Sequence, residues 1–523
     1  MADGPIFRSP FPEVQIPETP LTEFILGGAA KWGDKPALID SASGRSITYG
    51  ELPGLVRRCA YGLSRKGFGK GDVLALWSPN LPEYAVAFLG VAELGGIVTT
   101  ANPLYTAGEL NKQLLDSKAT HLVTVPPLLE RAAEAAQGTS VQEIFVFGEA
   151  PGATPFASLL AEDGRPPSIL IDAKRDVVTL PYSSGTTGLP KGVMLSHYNL
   201  VANIKQMEVL FDANGMVGIA VLPFYHIYGM VVLLLNTLYG GGTLVVMSRF
   251  DLEQFLEAMQ KYKVTHACLV PPIVLALAKH PLVANYDLSA LEVIMSGAAP
   301  LSAELEQEAG ERIHTLVKQG YGMTELSPVS HMQPDDNVRH GSVGFVAPNT
   351  ESMVADVATG QPLPPNEHGE ICVRGPQVML GYLNQPQATA DMISPEGWLH
   401  TGDVGYVDQD GFFYVVDRVK ELIKYKGYQV PPAELEAVLL THPAVADAAV
   451  IPLPDEEAGE IPKAFVIKRA DVSADDLMAY VAERVAPYKR LRELEFTDAI
   501  PKSSSGKILR RELVDRERAR LGV

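Results

Sequence analysis

Leu180-Pro-Tyr-Ser-Ser-Gly-Thr-Thr-Gly-Leu-Pro-Lys-Gly-Val-Met194, running on through Leu195, Ser196 and His197, sets the reading of the whole chain. The β-branched run before it, Val177-Val178-Thr179-Leu180, predicts a short buried strand. A loop of small and hydroxyl residues follows. Ser183, Ser184, Gly185, Thr186, Thr187 and Gly188 leave backbone N–H groups free to point at one centre, the glycines allow the tight turns, and the hydroxyls add donors. Pro190 stiffens the turn, and Lys191 adds a point charge. This composition suits a polyphosphate. It is not the common nucleotide loop, in which glycine directly precedes the lysine and Ser or Thr follows it. Here Pro190 precedes and Gly192 follows. The bland alternative is a flexible polar surface loop, which has no need of this combination.

On either side of this loop the chain alternates helical and strand patterns. Glu51 to Leu63 carries apolar residues at helical spacing, Val73 to Leu76 reads as a buried strand, Glu83 to Glu93 as a helix, and Gly95 to Thr100 as a turn into a strand. His121 to Val125 and Glu143 to Phe147 repeat the strand pattern. Asn199 to Phe211 reads as a helix, and Val217 to Leu222, Leu291 to Met295 and Thr315 to Lys318 as strands. Such alternation predicts α/β architecture with largely parallel sheets. Residues 1 to 20 are Pro-rich and expected to be extended. From about Ser342 short strands and turns predict a small β-barrel-like part, and beyond Lys420 a compact α+β unit follows.

The 523 residues exceed one ordinary core. The net charge of −19, from 43 basic and 62 acidic residues, disfavours nucleic acid as a partner, so anionic ligands must be met by local basic groups. Cys59, Cys268 and Cys372 are widely spaced and show no metal or disulfide framework, which fits a reducing compartment. Cys372, between Ile371 and Val373, reads as a packed strand residue rather than a nucleophile. The apolar run Gly229 to Leu235 is too short to span a bilayer, and neither end of the chain reads as a targeting signal, so a cytoplasmic protein is expected.

Further motifs recur in a fixed order. They are Pro223-Phe-Tyr-His-Ile-Tyr-Gly229, Ser296-Gly-Ala-Ala-Pro300, Gln319-Gly-Tyr-Gly-Met-Thr-Glu325, Gly369-Glu-Ile-Cys-Val-Arg-Gly375, Thr401-Gly-Asp403, Asp417-Arg-Val-Lys420, and Pro501-Lys-Ser-Ser-Ser-Gly-Lys507. Together with Ser183 to Gly192 they resemble the adenylate-forming superfamily: acyl-CoA synthetases, 4-coumarate–CoA ligases, beetle luciferases and peptide-synthetase adenylation domains. The resemblance covers nearly the whole chain, and Gly369 to Gly375 is similar to a signature of the 4-coumarate–CoA ligases.

The resemblance implies a large N-terminal adenylation domain, residues 1–418, of αβ-layered subdomains plus a small β-barrel. A small mobile α+β C-terminal domain, residues 419–523, would follow a hinge about 417–420. It implies ATP, Mg²⁺ and coenzyme A. Ser183, Ser184, Gly185, Thr186, Thr187, Gly188 and Lys191 would hold phosphates. Gln319, Gly320, Tyr321, Thr324, Asp403, Arg418 and Lys420 would meet the rest of the nucleotide, with Tyr321 stacked on adenine and Asp403 on the ribose diol. Thr187 and Glu325 would hold Mg²⁺. His226 would orient the carboxylate, and Lys507 would bridge it to the α-phosphate. A lysine on a Gly-Ser loop can enter a site in one domain orientation only, which favours Lys507 over a merely solvated basic tail.

The acyl pocket would be lined by Tyr228, Gly297, Gly322, Pro328 and Val329. Coenzyme A would meet Arg249 and, after rotation of the C-terminal domain, Lys424, Lys426, Gly427 and Gln429. Ser327 stands where hydroxycinnamate ligases have Gly. The activity implied is ligation of 4-coumarate or a related hydroxycinnamate to coenzyme A by a monomer or weak homodimer. A medium-chain fatty acyl-CoA ligase and a luciferase-like enzyme remain alternatives. A non-catalytic nucleotide sensor is a third, against which the intact Glu325 and Lys507 argue.

Overall fold

A computed structural model describes residues 5–183, 190–211, 213–419, 421–426, 428–455, 458–503 and 506–521; the side chains of residues 429 and 521 lie outside the description. Ser184, Gly185, Thr186, Thr187, Gly188, Lys420 and Gly427 therefore fall outside the described residues, as does the Gln429 side chain.

Two large sheets dominate. In the eight-stranded sheet, Val177–Ser183, Ile97–Thr100, Val73–Leu76, His121–Thr124, Glu143–Val146 and Thr154–Pro155 run parallel. In the nine-stranded sheet, the parallel run is Leu316–Gly322, Val293–Ser296, His266–Leu269, Val217–Ala220, Thr243–Val246 and Pro36–Asp40. Such strands are buried on both faces, which is why Val73–Leu76 and Val293–Ser296 are apolar without alternation. Helix Pro82–Glu93 buries nearly every side chain, whereas helix Leu52–Arg65 shows an apolar face and a polar one.

A third sheet is antiparallel: Phe7–Arg8, Glu351–Ala355, Gly369–Arg374, Leu399–Val407 and Phe413–Arg418. Phe7–Arg8 is an edge strand here, and the Phe7 ring packs edge-on against Phe413 at 5.7 Å. The expected extended N-terminal arm is thus stitched to residues more than three hundred positions away, with Arg8 ion-paired to Glu351 at 2.6 Å. A fourth sheet, built from Tyr428–Val430, Ile423–Tyr425, Gly459–Lys468, Val445–Asp455 and Glu493–Phe496, encloses its own apolar core around Ile423, Leu435, Val450 and Val466.

Element ends differ from expectation where tertiary contacts act. The helix expected from Asn199 starts at His197, because Ser196 and Asn199 form a reciprocal capping box. The strand expected to stop at Lys318 continues to Gly322, because its far end pairs antiparallel with Val329–Met332. The apolar run after His226 forms a π-helix, Tyr228–Leu235, buried throughout. No helix among the described residues is long and apolar enough to cross a membrane.

Candidate active site

The phosphate-type loop does not lead into a helix. The described residues on either side of it, Val177–Ser183 and Lys191–Ser196, pair antiparallel, with Ser183 opposite Lys191. Lys191 Nζ lies 4.8 Å above the ring of Tyr382. Tyr382 in turn donates its hydroxyl to Glu325 Oε1 at 2.8 Å. Glu325 is 2 % exposed, on the short 3₁₀ turn Thr324–Leu326, and its Oε2 is left for another partner among the described residues. A buried carboxylate with one oxygen committed and the other available, beside a lysine suited to phosphate, fits a hard cation such as Mg²⁺. Thr324 opens the same turn, half-buried. Tyr382 was missed as a site residue. In sequence it is one aromatic after a glycine, and only the pairing of Gly381–Tyr382 with Val193 and Met194 brings it to the loop.

Asp403 and Arg418 are direct cross-strand partners, and Arg418 Nε sits 3.2 Å from Asp403 Oδ1. The other oxygen, Oδ2, accepts the Tyr321 hydroxyl at 2.6 Å. Burial and the Asp403 charge push the Tyr321 phenol well above its ordinary range, so it stays a donor. Tyr321 and Asp403 therefore form one unit. Gln319 does something other than the sequence suggested: its amide accepts from Leu301 N and donates to Leu301 O and Glu306 Oε2, each at 2.9 Å. Its side chain thereby holds the loop after Ser296 in place. Gly320 follows it inside the same strand.

His226 Nδ1 accepts the amide of Tyr228 at 3.3 Å, so its ring proton resides on Nε2. Burial first, then the nearby Lys507 charge, lowers its pKa to about 4. It is a neutral imidazole at physiological pH. Lys507 reaches this point from the C-terminal part of the chain. Ser503 and Lys507 close a tight loop through Ser503 N to Lys507 O at 2.8 Å, and Ser503 Oγ accepts from Lys507 N at 3.1 Å. Gly506, at φ +79°, lies against Pro272, where an added Cβ would meet the ring at 3.1 Å. Burial lowers the Lys507 pKa, and Arg418 adds to the effect, while Asp403, Glu325 and Glu421 oppose it. Lys507 thus converges with His226, Glu325, Asp403 and Arg418.

Tyr228, fully packed, donates its hydroxyl to Met295 O at 2.9 Å. A Cβ on Gly297 would lie 3.0 Å from the Tyr228 ring, and one on Gly322 would lie 2.2 Å from Pro328 O. Both positions are close-packed, so only glycine lets the Tyr228 ring and the Pro328 carbonyl approach the backbone there. Val329 is held by Asn203, which accepts from Val329 N at 3.1 Å and donates to Val329 O at 2.7 Å. Ser327 adopts φ +70°, which explains why Gly is natural at this position, and its hydroxyl is bonded to Gln377 O at 2.8 Å.

Asp417 anchors the segment after Arg418: its carboxylate accepts from Arg418 N and Ala433 N, both at 2.8 Å, and Val419 N donates to Gly402 O at 2.9 Å. Lys424 and Lys426 are exposed on the hairpin of the fourth sheet, and Arg249 is exposed on the turn before helix Leu252–Tyr262. These three stand outside the convergent cluster.

Residues 27–383 match the AMP-binding enzyme family, and residues 434–507 match the AMP-binding enzyme C-terminal domain. The chain is 45% identical to 4-coumarate–CoA ligase 2 of Petroselinum crispum, covering 97% of this chain and 96% of the relative. It is 44% identical to the 4-coumarate–CoA ligase of Pinus taeda, covering 98% and 97%. Among solved structures, ATP-bound MatB from Rhodopseudomonas palustris superposes with a TM-score of 0.88 at 28% identity, covering 95% of this chain and 98% of that one. The o-succinylbenzoate CoA synthetase MenE of Bacillus subtilis, in complex with its acyl-adenylate intermediate, gives 0.81 at 30%, covering 94% and 97%. On these matches the chain belongs to the adenylate-forming AMP-binding enzyme family and is similar over nearly its full length to 4-coumarate–CoA ligases.

Proposed function

We propose that the protein is an AMP-forming acid–thiol ligase that activates 4-coumarate or a related hydroxycinnamate with ATP and transfers the acyl group to coenzyme A. In the first step a carboxylate oxygen attacks the α-phosphorus in line and pyrophosphate leaves. In the second the thiol of coenzyme A attacks the acyl carbonyl, a thioester forms and AMP leaves. What carries the reading is the docking of the Lys507 loop on Pro272 and Val270 through Gly506, which brings Lys507 under the electrostatic influence of Arg418, Asp403 and Glu325 and lets it act on His226.

Each group has a task set by its environment. Asp403, steered by Tyr321 and Arg418, accepts from the ribose hydroxyls. Neutral His226 donates from Nε2 to the acid carboxylate without adding charge. Lys507 neutralises the negative charge shared between carboxylate and α-phosphate, and positioning of this kind supplies most of the rate. Mg²⁺ held by Glu325 and Thr187 would offset phosphate charge. Ser183, Ser184, Gly185, Thr186, Gly188 and Lys191 would hold the β- and γ-phosphates, and Gln319, Gly320, Thr324 and Lys420 would meet the rest of the nucleotide. The aromatic wall of Tyr228 and the bare Gly297 and Gly322 suit a planar acid, closed by Pro328 and Val329.

The C-terminal domain then turns about residues 417–420, which withdraws Lys507 and brings Lys424, Lys426, Gly427 and Gln429 to the thiolation step, with Arg249 on coenzyme A phosphate. The three free, buried thiols support a reducing cytoplasmic setting.

The test is AMP release with MgATP and coenzyme A across 4-coumarate, caffeate, cinnamate, benzoate, octanoate and palmitate. Preference for the hydroxycinnamates supports the substrate class. Preference for octanoate keeps the chemistry and overturns the substrate, and no AMP from any acid overturns the enzymatic reading.

A further inference from the structure

Glu370, Cys372 and His400 form a cluster outside the adenylation machinery. Glu370 and Cys372 are two residues apart on strand Gly369–Arg374 and so share one face of the sheet. His400, on strand Leu399–Val407, is the direct cross-strand partner of Cys372. Cys372 Sγ lies 3.5 Å from His400 Nδ1, and that nitrogen lies 2.9 Å from Glu370 Oε2. One ligand atom from each residue falls within a 4.8 Å span, and among the described residues this is the one such grouping of three metal-ligating side chains. Bonds of about 2.0–2.3 Å at tetrahedral angles put zinc ligands roughly 3.3–3.7 Å apart, close to the observed sulfur–nitrogen spacing.

We propose that Glu370, Cys372 and His400 form a binding site for a thiophilic divalent cation, Zn²⁺ or Cd²⁺, with a fourth position open to water. The donor set of one thiolate, one imidazole and one carboxylate matches the preference of these ions and not that of Mg²⁺. The inner side of the thiol is closed by Met353, Ala355 and Trp398, an apolar shell that fixes its direction. The outer side is accessible, since the His400 side chain is 37% exposed and Glu370 18%. Binding replaces the His400 Nδ1–H···Oε2 Glu370 hydrogen bond by two metal bonds, the neutral ring then carrying its single proton on Nε2, and the protons given up by Nδ1 and the Cys372 thiol that the ring does not keep pass to solvent. Glu370 Oε1 already accepts from Gly402 N at 2.9 Å, which holds the carboxylate in place from its other end.

The experiment is titration of the untagged, full-length protein with Cd²⁺, followed by the near-ultraviolet thiolate-to-cadmium absorption, with Zn²⁺ affinity measured against a chromogenic chelator. One Cd²⁺ per chain with a thiolate band is expected. Cys372→Ser should abolish the band, and His400→Gln, with folding checked by circular dichroism, should weaken Zn²⁺ binding by about tenfold or more. A wild-type protein without the band, a band that persists in Cys372→Ser, or unchanged Zn²⁺ affinity in His400→Gln would each overturn the site. None of these readouts depends on ligase activity, so failure here leaves the proposed reaction untouched.

Discussion

The hydroxyl of Tyr321 donates to Asp403 Oδ2 at 2.6 Å across 82 positions of sequence. The bond leaves Oδ1 to Arg418 and turns a buried carboxylate into a fixed acceptor. Tyr321 therefore positions Asp403.

Tyr321→Phe keeps the ring and removes this donor from a nearly buried charge. A cost of about 1–3 kcal/mol is expected for the lost bond. Both the thermal midpoint and the affinity for AMP should fall, read by calorimetry and by titration. Unchanged AMP affinity would show that the pair matters for folding alone.

Lys507→Ala should divide the two half-reactions. Loss of one preorganised cation is expected to slow adenylation by roughly 10²–10³. Thiolation of a supplied acyl-adenylate should stay within a few-fold of wild type if Lys507 is withdrawn in that step as proposed. Equal losses in both half-reactions would speak against domain alternation.

The Lys507 ammonium is crowded by burial and by Arg418, so its pKa lies below the usual lysine value of 10.5. A depressed lysine pKa means the cation is lost earlier as pH rises. The profile of kcat/KM for ATP–pyrophosphate exchange reports the free enzyme. It should therefore show an alkaline limb below 10.5 that is missing from the residual activity of Lys507→Ala. The acid side should be flat through the ordinary histidine range, since His226 titrates only at about 4.

Gly297→Ala places a Cβ 3.0 Å from the Tyr228 ring, and that ring is tied to Met295 O. The Tyr228 ring must give way, and if it borders the acid as proposed, KM for hydroxycinnamates should rise several-fold with little change in KM for ATP. Steady-state kinetics with both substrates varied separates the two.

Tyr382→Phe leaves Glu325 Oε1 without its donor while keeping the ring under Lys191. The carboxylate becomes free to rotate, and a higher Mg²⁺ concentration should be needed for half-maximal adenylation. An unchanged Mg²⁺ requirement would argue that Glu325 is held by its turn alone.

Sequence by itself determined the alternation of strands and helices, because period and turn residues are local properties. It also marked Ser183 to Lys191, Gln319 to Glu325 and Ser503 to Lys507 as segments of particular chemistry, because glycine, hydroxyl and lysine spacing is local too. What it left open are relationships set by sheet register. Tertiary structure alone decided that Phe7–Arg8 pairs with Glu351 and Ser352, that Tyr382 comes under Lys191, and that Gln319 locks onto Leu301 and Glu306. It likewise set Cys372 beside His400. Each of these joins residues whose separation along the chain carries no periodic signal. Their meeting depends on which strand edges pair and in what register, and a shift of one residue would send every one of these side chains to the opposite face.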